Sequence, residues 1–288
     1  MNNIHILNPV AGHGAALKYK SNDYNEVVHI TSCIGDAEKF VHDTCLENPD
    51  TRFIVYGGDG TLNEVVNGIM NSGANKSARV SVVPVGTGND FCRNFNESGE
   101  YTVDIIKYNG RYSLNIINIG FDCNAVEETA RLKKLPLISG SLAYILGVAT
   151  TLCKPLGKKL RVKFTDINNN ELYYDGVFLL AAIANGAYYG GGFHAAPLSS
   201  LKDGLLDVMI VNKISRLKFI SLVGDYKNGT HMDKNTAQPI KKFKDIIDFY
   251  KCKTLKIDNL DKICVDGEIL YESSLEIEIM NQAITFVF

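Results

Sequence analysis

Two short segments of the sequence each place an aspartate among glycines directly after an apolar run. The first, residues 57–61, reads Gly-Gly-Asp-Gly-Thr, and the second, residues 86–90, reads Gly-Thr-Gly-Asn-Asp. A strand followed by a glycine turn and a helix start presents unpaired backbone N–H groups to an anion. Because the carboxylates of Asp59 and Asp90 would repel a phosphate, the pattern requires a cation between them and predicts a nucleotide bound with Mg²⁺.

The elements around these turns predict an α/β domain. Apolar runs at 4–7, 27–30, 53–56 and 80–85 predict strands buried on both faces, and a helix is expected over 36–46. After the first turn, the apolar side chains follow the spacing of one helix face. We therefore expect a doubly wound, mostly parallel sheet with its ligand at the carboxyl ends of the strands.

The pattern changes after about residue 157, where short alternating segments are separated by turn signals such as Asp266-Gly267. They predict a mainly antiparallel β-sandwich with helical insertions at 215–226 and 241–250. A further helix is expected at 141–152, within an apolar stretch too interrupted for a transmembrane span. We expect a nucleotide-binding domain at 1–122, a β-rich substrate domain at 123–288, and an active site in the cleft between them.

Composition excludes several classes of protein. The chain has 288 residues and a formal net charge of −2, so nothing favours nucleic acid as a partner. Its seven cysteines are scattered and odd in number, which favours reduced thiols. The first residues lack the regions of a signal peptide, and we expect a cytoplasmic protein.

Several motifs resemble those of the diacylglycerol kinase catalytic family, which includes sphingosine, ceramide and soluble bacterial lipid kinases. Residues 57–64 and 86–91 are similar to its two nucleotide motifs, residues 8–12 to its first phosphate loop, and residues 118–122 to its hinge-side motif. The likeness continues through 185–193, 197–207 and 265–268, in the family's order. It implies a nucleotide site made of Asn8, Pro9, Val10, Ala11, Gly12, Thr31, Gly57, Gly58, Asp59, Gly60, Thr61, Leu62, Asn63, Glu64, Thr87, Asn89, Asp90, Arg93 and Asp122.

The resemblance also implies catalytic roles. Asp59, Asp90 and Asp122 would hold the Mg²⁺ that bridges the phosphates, and Glu268 would accept the proton of the lipid hydroxyl, with Asp266 as the second candidate. Residues 266–267 read equally well as a two-residue hairpin turn, and both interpretations can hold.

A second magnesium site is implied in the β-rich domain. There the carboxylate of Asp203 and the main-chain oxygens of Ser200 and Leu205 would hold a structural Mg²⁺. An ordinary turn at Asp203 is the alternative.

Three features depart from the family pattern. Only twelve residues separate Gly14 from Val27, nearly too few for a full helix in the first crossover. His13 occupies a position where relatives often have lysine. No tail that returns to the nucleotide-binding domain is expected after Phe288.

The function implied is that of an ATP-dependent lipid kinase using Mg²⁺, with diacylglycerol as the first candidate substrate and phosphatidic acid as the product. Its partner would be a membrane lipid, reached by transient contact with the inner face of the membrane. Two alternatives remain open, namely a kinase of a soluble substrate resembling NAD kinase, and a catalytically silent lipid-binding or regulatory protein. Monomer and homodimer both remain open.

Overall fold

The computed structural model describes residues 2–19, 26–132 and 140–288. Within those ranges the helices are α1 (Asp36–Glu47), α2 (Asp59–Ser72), α3 (Phe121–Leu132), α4 (Gly140–Cys153) and α5 (Arg216–Asn228). The strands are β1 (Asn2–Leu7), β2 (Val27–Ile30), β3 (Thr51–Gly57), β4 (Arg79–Pro84), β5 (Glu100–Tyr108), β6 (Arg111–Ser113), β7 (Ile116–Gly120), β8 (Lys158–Thr165), β9 (Glu171–Ala184), β10 (Leu206–Asn212), β11 (Met232–Asp233), β12 (Gln238–Pro239), β13 (Ile247–Cys252), β14 (Thr254–Asp258), β15 (Ile263–Val265), β16 (Glu268–Leu270) and β17 (Ser274–Val287).

The first part of the chain forms the predicted α/β layer. β2, β1, β3 and β4 lie side by side and all pairs are parallel, so the carboxyl ends of β1, β3 and β4 meet at one edge. Helices α1 and α2 pack on this sheet through a core that includes Ile6, Phe53, Val65 and Val80. All four predicted strands form, but their burial differs: β3 is mostly buried, whereas β2 has no fully buried residue and an exposed Val27.

The second part is antiparallel. β7, β9, β8 and β14 follow one another across the sheet, with β10 pairing β9 and β13. β15 pairs with β7 and with β16, so the β15–β16 hairpin forms one edge of this sheet and is held there by β7. The predicted fold class, a parallel α/β layer followed by a β-rich layer, is confirmed.

The last strand, β17, joins the two layers. Residues 274–278 pair with β14, whereas Thr285 and Phe286 lie parallel to β4, and the strand is antiparallel to β5 along most of its length. The register shifts between Met280 and Ile284, where Gln282 has a positive φ of 45°. The expectation that no tail returns to the nucleotide-binding domain was therefore wrong, because the final residues are themselves the returning strand.

Two local predictions also need correction or extension. The helix predicted at 241–250 does not form: residues 241–246 are turns, and residues 247–252 form β13 because they pair along their whole length with β10. In the first crossover, Ala11–Tyr19 forms 3₁₀ turns with left-handed backbone at Gly12 and His13, and residues 20–25 lie outside the described ranges. The predicted helix at 141–152 is confirmed as α4. Across the ranges described above, no helix is long and apolar enough to cross a membrane.

Candidate active site

A cleft of about 710 Å³ opens where the loops after β1, β3 and β4 face the β15–β16 hairpin. Both layers of the fold therefore contribute to it. Its lining consists of Asn8, Val10, Ala11, Gly12, His13, Gly58, Asp59, Gly60, Thr61, Gly86, Thr87, Gly88, Asp90, Phe91, Leu114, Asn115, Ile116, Val126, Thr129, Ala130, Tyr189, Gly190, Gly191, Asp266, Gly267 and Glu268.

The three loops are packed so closely that their glycines are required. A Cβ on Gly12, which has φ +57°, would overlap the carbonyl oxygen of Val85. A Cβ on Gly86 would likewise overlap the Cα of Gly58, so the two glycine turns touch through their backbones. Asn8 donates from Nδ2 to Thr61 Oγ1 at 2.8 Å and ties the first loop to the start of α2.

Asp59 links the two glycine turns. Its two carboxylate oxygens accept the backbone N–H groups of Asp90 and Phe91, each at 3.1 Å. The same carboxylate lies at the first turn of α2, where a negative charge is favoured by the helix dipole. Asp59 thus fixes the second turn while its carboxylate remains part of the cleft lining.

Asp90 has an unsatisfied oxygen within the cleft. Its Oδ2 accepts the N–H of Gly191 at 2.7 Å, and its Oδ1 lies 3.3 Å from Arg93 Nε without a hydrogen bond, although the residue is 7% exposed. Burial raises the pKa of Asp90, opposed by the Gly191 hydrogen bond and reinforced by the Asp59 charge. A buried oxygen of this kind is suited to a cation or to a bound water.

The hairpin at 266–267 is confirmed, with positive φ angles of 46° at Asp266 and 97° at Gly267, as a type I′ turn requires. Asp266 accepts five hydrogen bonds, from Asn63 Nδ2, Ser113 Oγ and the N–H groups of residues 114, 115 and 116. Desolvation raises the pKa of Asp266, and these donors oppose that rise. A carboxylate has about four lone-pair sites, so Asp266 has none left for a substrate proton.

Glu268 is exposed at the tip of the same hairpin and reaches across the cleft. Its Oε1 lies 3.3 Å from the position that a Cβ on Gly60 would take, directly at the N-terminal turn of α2. The anchored Asp266 therefore fixes the turn that carries Glu268, and the glutamate faces the loops after β1, β3 and β4.

Asp122 is not where the sequence analysis placed it. It lies at the first turn of α3, and it lines a separate apolar cavity of about 170 Å³ rather than the cleft. Its Oδ2 accepts the hydroxyl hydrogen of Tyr189 at 2.7 Å, and burial raises its pKa to about 6 in spite of that bond. Asp122 therefore does not join Asp59 and Asp90. Over the described part of the chain, no three His, Cys, Asp or Glu side chains converge as metal ligands.

Three residues of the first motif have structural roles instead of lining the cleft. Leu62 is 1% exposed in the core. Asn63 donates to Asp266, and Glu64 accepts the N–H groups of Gly35 and Ala37 at the start of α1. Because α2 presents successive side chains in different directions, only its first residues can face the cleft.

Five further residues that were predicted to bind the nucleotide do not line the cleft. They are Pro9, Thr31, Gly57, Asn89 and Arg93. Asn89, at φ 53°, donates to the carbonyls of Pro84 and Gly86 and so shapes the second turn. Arg93 lies against Asp90 and donates to the carbonyl of Gly88 at 3.4 Å.

In the predicted structural magnesium loop, the carboxylate of Asp203 already has a cationic partner. Asp203 Oδ2 lies 3.1 Å from the ammonium of Lys251, and Asp203 Oδ1 accepts the N–H of Leu205. Asp104 holds the loop from β5 by accepting the N–H of Gly204 at 2.7 Å, and Ser200 accepts the N–H of Lys202. A lysine thus supplies the positive charge that we assigned to Mg²⁺.

Sequence reasoning missed one whole wall of the cleft. Leu114, Asn115 and Ile116 precede and begin β7, and Val126, Thr129 and Ala130 come from α3. Their types carry no chemical signal, and only the pairing of β15 with β7 brings them to the hairpin. The sequence did single out 188–193, of which Tyr189, Gly190 and Gly191 line the cleft.

The fold combines a parallel α/β layer with a β-rich layer, and the two share an acidic cleft lined by glycines. This is the architecture of a nucleotide-dependent kinase. Comparison with known families makes the class specific. The family described as the diacylglycerol kinase catalytic domain matches residues 4–114, and the YegS C-terminal NAD kinase beta sandwich-like domain matches residues 115–288. The chain belongs to the diacylglycerol kinase family of lipid kinases.

Individual relatives agree with this assignment. A Bacillus subtilis strain 168 protein named diacylglycerol kinase is 30% identical over 263 residues, covering 82% of this chain and 84% of the relative. An Alcanivorax borkumensis protein named "Probable lipid kinase YegS-like" is 28% identical over 209 residues, covering 68% of this chain and 67% of the relative. The crystal structure of a diacylglycerol kinase from Bacillus anthracis shares the fold, with a TM-score of 0.68 at 21% identity, covering 100% of this chain and 96% of that one.

Proposed function

We propose that this lipid kinase transfers the γ-phosphoryl group of ATP to the hydroxyl of diacylglycerol and forms phosphatidic acid. One observation carries the proposal. The exposed carboxylate of Glu268 faces Gly60, in a glycine loop of the kind that binds phosphate. An apolar cavity adjoins the same cleft, and Tyr189 lines both. A phosphate donor, a proton acceptor and an acyl chain could therefore be held side by side.

The nucleotide would lie against the loops at 8–12, 58–61 and 86–90. The first backbone N–H groups of α2, which have no carbonyl partner within the helix, would bind the phosphate oxygens, and the N-terminus of α2 adds its partial positive charge. Asp59 and Asp90 would hold Mg²⁺, partly through water, because that ion takes few protein ligands beside phosphate oxygens. Bound there, Mg²⁺ would neutralise charge on the transferring phosphoryl group.

Glu268 would act as the general base. It is exposed at the cleft, whereas the oxygens of Asp266 are already occupied, so the second candidate for this role is disfavoured. The lipid hydroxyl would donate its proton to Glu268 as its oxygen attacks the γ-phosphorus in line. The rigid hairpin would keep the carboxylate in place for that transfer.

The lipid substrate would place an acyl chain in the cavity between α5, α3 and β9. Phe121, Leu180, Phe219 and Val223 make most of its wall apolar, and Asp122 with Tyr189 supplies polar groups next to the cleft. A substrate with one hydroxyl near two long chains, such as diacylglycerol, matches an apolar cavity next to a proton acceptor. The name of the Bacillus subtilis relative supports the same choice.

The test is transfer of labelled phosphate from ATP to diacylglycerol in vesicles, with and without Mg²⁺. We expect phosphatidic acid from the wild type, and a decrease in kcat of at least about 100-fold for Glu268→Gln, because general-base catalysis is worth that much. Glu272→Gln makes the same chemical change four residues away and is expected to keep full activity.

Other results would lead to other assignments. Near-native kcat for Glu268→Gln would refute the base assignment. Transfer to a soluble acceptor such as NAD without any lipid would favour the soluble-substrate kinase. ATP-induced melting shifts that need no Mg²⁺, with no transfer to any lipid, would indicate a silent regulatory protein.

A further inference from the structure

The outer face of α5 is apolar where a surface helix is normally polar. Leu217 is 81% exposed and Ile220 is 62% exposed, one helical turn apart. Phe219, Leu222 and Tyr226 occupy the opposite face and are buried. Because α5 already buries one apolar face in the protein, the exposed pair is a second apolar face that no described element of the chain covers.

Positive charge is concentrated in the segment that contains this pair and in a second segment packed against α5. Segments 213–228 and 241–245 together contain seven lysine or arginine residues and two aspartates, in a chain whose net charge is −2. The second segment lies against α5, since Lys242 Nζ is 2.9 Å from Asp225 Oδ2 and 3.3 Å from the carbonyl of Ser221. In the described part of the chain, Lys213, Lys241 and Lys244 form no ion pair.

The start of α5 is held rigidly. Arg216 Nε donates to the carbonyl of Leu152 at 2.6 Å, which fixes the helix start to the end of α4. An open groove lined by Pro155, Leu156 and residues 213–217 continues the apolar area beside it. The exposed pair and the lysines are therefore presented on a firm platform instead of a loop.

We propose that this surface, made of Leu217, Ile220, Lys213, Lys241 and Lys244 and here called the α5 docking surface, binds the anionic face of a phospholipid bilayer. Aliphatic side chains ringed by lysines are the chemistry that inserts into the headgroup region while the ammonium groups contact lipid phosphates. The charge of the surface is complementary to an anionic bilayer, whose negative surface potential attracts lysines that lie near it.

The position of the apolar cavity proposed for the acyl chain favours a bilayer over a protein as the partner of this surface. Phe219, Leu222 and Val223 on the inner face of α5 line that cavity. A bilayer seated on the outer face of α5 would thus lie within about one helix diameter, roughly 10 Å, of the cavity. This argument rests on the proposed function, because it takes the cavity as the place for the lipid chain.

The test is co-sedimentation with vesicles of phosphatidylglycerol and phosphatidylcholine in equal parts, compared with phosphatidylcholine alone. Leu217→Asp with Ile220→Asp is expected to weaken binding to the anionic vesicles at least about tenfold, since two aliphatic side chains no longer leave water. Unchanged binding by that variant would overturn the proposal.

The matched control is Ile167→Asp, which replaces an aliphatic residue that is 55% exposed at the far end of the β8–β9 hairpin. Counting about 3.3 Å per residue along β9, that site lies more than roughly 20 Å from Val177, whose carbonyl accepts the N–H of Lys213. Its binding is expected to equal that of the wild type. An equal loss in this control would overturn the assignment to α5.

A second variant tests the charges without touching the apolar pair. Lys241→Glu with Lys244→Glu is expected to lose at least about tenfold in binding to anionic vesicles and nothing on neutral ones. If sedimentation velocity instead shows a wild-type dimer that Leu217→Asp dissociates, the surface is a contact between copies and the proposal fails.

The docking test can be separated from the proposed function. The aspartate variant should retain kinase activity on short-chain diacylglycerol dispersed in detergent, because none of its changes touches the cleft. Vesicle binding that depends on α5, in a protein that phosphorylates no lipid, would refute the proposed function and leave the docking surface standing. Lipid kinase activity with vesicle binding independent of α5 would refute the docking surface and leave the proposed function standing.

Discussion

At the scale of residues, the β15–β16 hairpin divides two roles between neighbouring acids. Asp266 is directed inward and is saturated by five donors, while Glu268, two residues later, is exposed and faces Gly60. Across the two-residue turn, the backbone directs the two side chains differently. One acid can thus be anchored firmly while the other remains available for chemistry, which is the arrangement that a positioned base requires.

Gly60→Ala separates stability from activity at this contact. Alanine in the first turn of α2 should keep or raise the free energy of unfolding by roughly 0.5–1 kcal/mol, because glycine costs that much in a helix. Its Cβ would lie 3.3 Å from Glu268 Oε1 and displace that carboxylate by a few tenths of an ångström. We expect kcat to fall roughly tenfold, since catalysis is sensitive to such shifts.

Urea unfolding and a kinase assay with detergent-dispersed diacylglycerol measure the two effects. Gly224→Ala is the matched control, because it also lies within a helix and its Cβ would meet open space. It should gain stability with no change in kcat. If Gly60→Ala keeps full activity, the proximity of Glu268 to α2 has no catalytic importance.

Asp122 predicts a pH dependence of stability. Burial raises its pKa from 3.8 to about 6, so the folded state binds the proton more tightly than the unfolded state. The resulting contribution to stability is present at acidic pH and is lost as the pH rises from about 4 to 6. At about 1.4 kcal/mol per pKa unit, the ionised carboxylate costs the fold roughly 3 kcal/mol at neutral pH.

Asp122→Asn removes that ionisation while its amide oxygen can still accept from Tyr189. The variant should be more stable than the wild type at about pH 8, and equally stable near pH 4, as measured by urea unfolding. Asp258→Asn, at an exposed aspartate of β14, should show no such difference. An equal loss of stability at both pH values would mean that Asp122 has only a packing role.

At the scale of elements, Lys251 connects the 200–205 loop with the sheet. Its ammonium lies 2.7 Å from Asp207 Oδ1 on β10 and 3.1 Å from Asp203 Oδ2 in the loop. Asp207 is 3% exposed, and burial raises its pKa to about 6 although Lys251 opposes the rise. The lysine is therefore the charge that compensates a buried carboxylate.

Lys251→Met should reduce the free energy of unfolding by about 3–5 kcal/mol at neutral pH, because it leaves Asp207 buried without its partner. Lys256→Met is the control, since Lys256 forms an exposed pair with Glu276 whose attraction is screened by water and which contributes little to stability. EDTA should leave the Tm of the wild type unchanged. A fall in the wild-type Tm on chelation that Asp203→Asn abolishes would show that the loop holds a metal after all.

The sequence predicted an element correctly where that element depends on residues close together in the chain, and failed where it depends on distant ones. The α/β layer followed from local patterns, since runs such as 53–56 are continuous and α2 repeats at helical spacing. In contrast, the helix predicted at 241–250 does not form, because residues 247–252 pair with β10 in a contact over some 40 residues. Prediction of the cleft residues was equally uneven. The two glycine turns and the hairpin were found by their local motifs, whereas the true positions of Asp122, Asn63 and Glu64 depend on tertiary packing.

At the scale of the whole molecule, β17 makes the two layers one structure. It begins against β14 of the antiparallel sheet and ends beside β4 of the parallel sheet, which carries the second glycine turn at its end. Phe286 lies at this junction, fully buried and packed against Phe91 with ring centroids 4.8 Å apart. Phe91 donates its N–H to Asp59, so the final strand supports the cleft through one intervening ring.

Phe286→Ala should therefore affect both layers and the cleft. Removing the buried ring is expected to cost about 3–5 kcal/mol of unfolding free energy. Because β17 pairs with both layers, unfolding in urea should remain a single transition when followed in either one. Loss of packing under Phe91 should also weaken ATP binding, which calorimetry would detect, whereas Tyr173→Ala, at a residue 64% exposed on β9, should change neither property. Two separate transitions in the variant, with the antiparallel layer unfolding as in the wild type, would mean that the layers fold independently and that β17 only connects them.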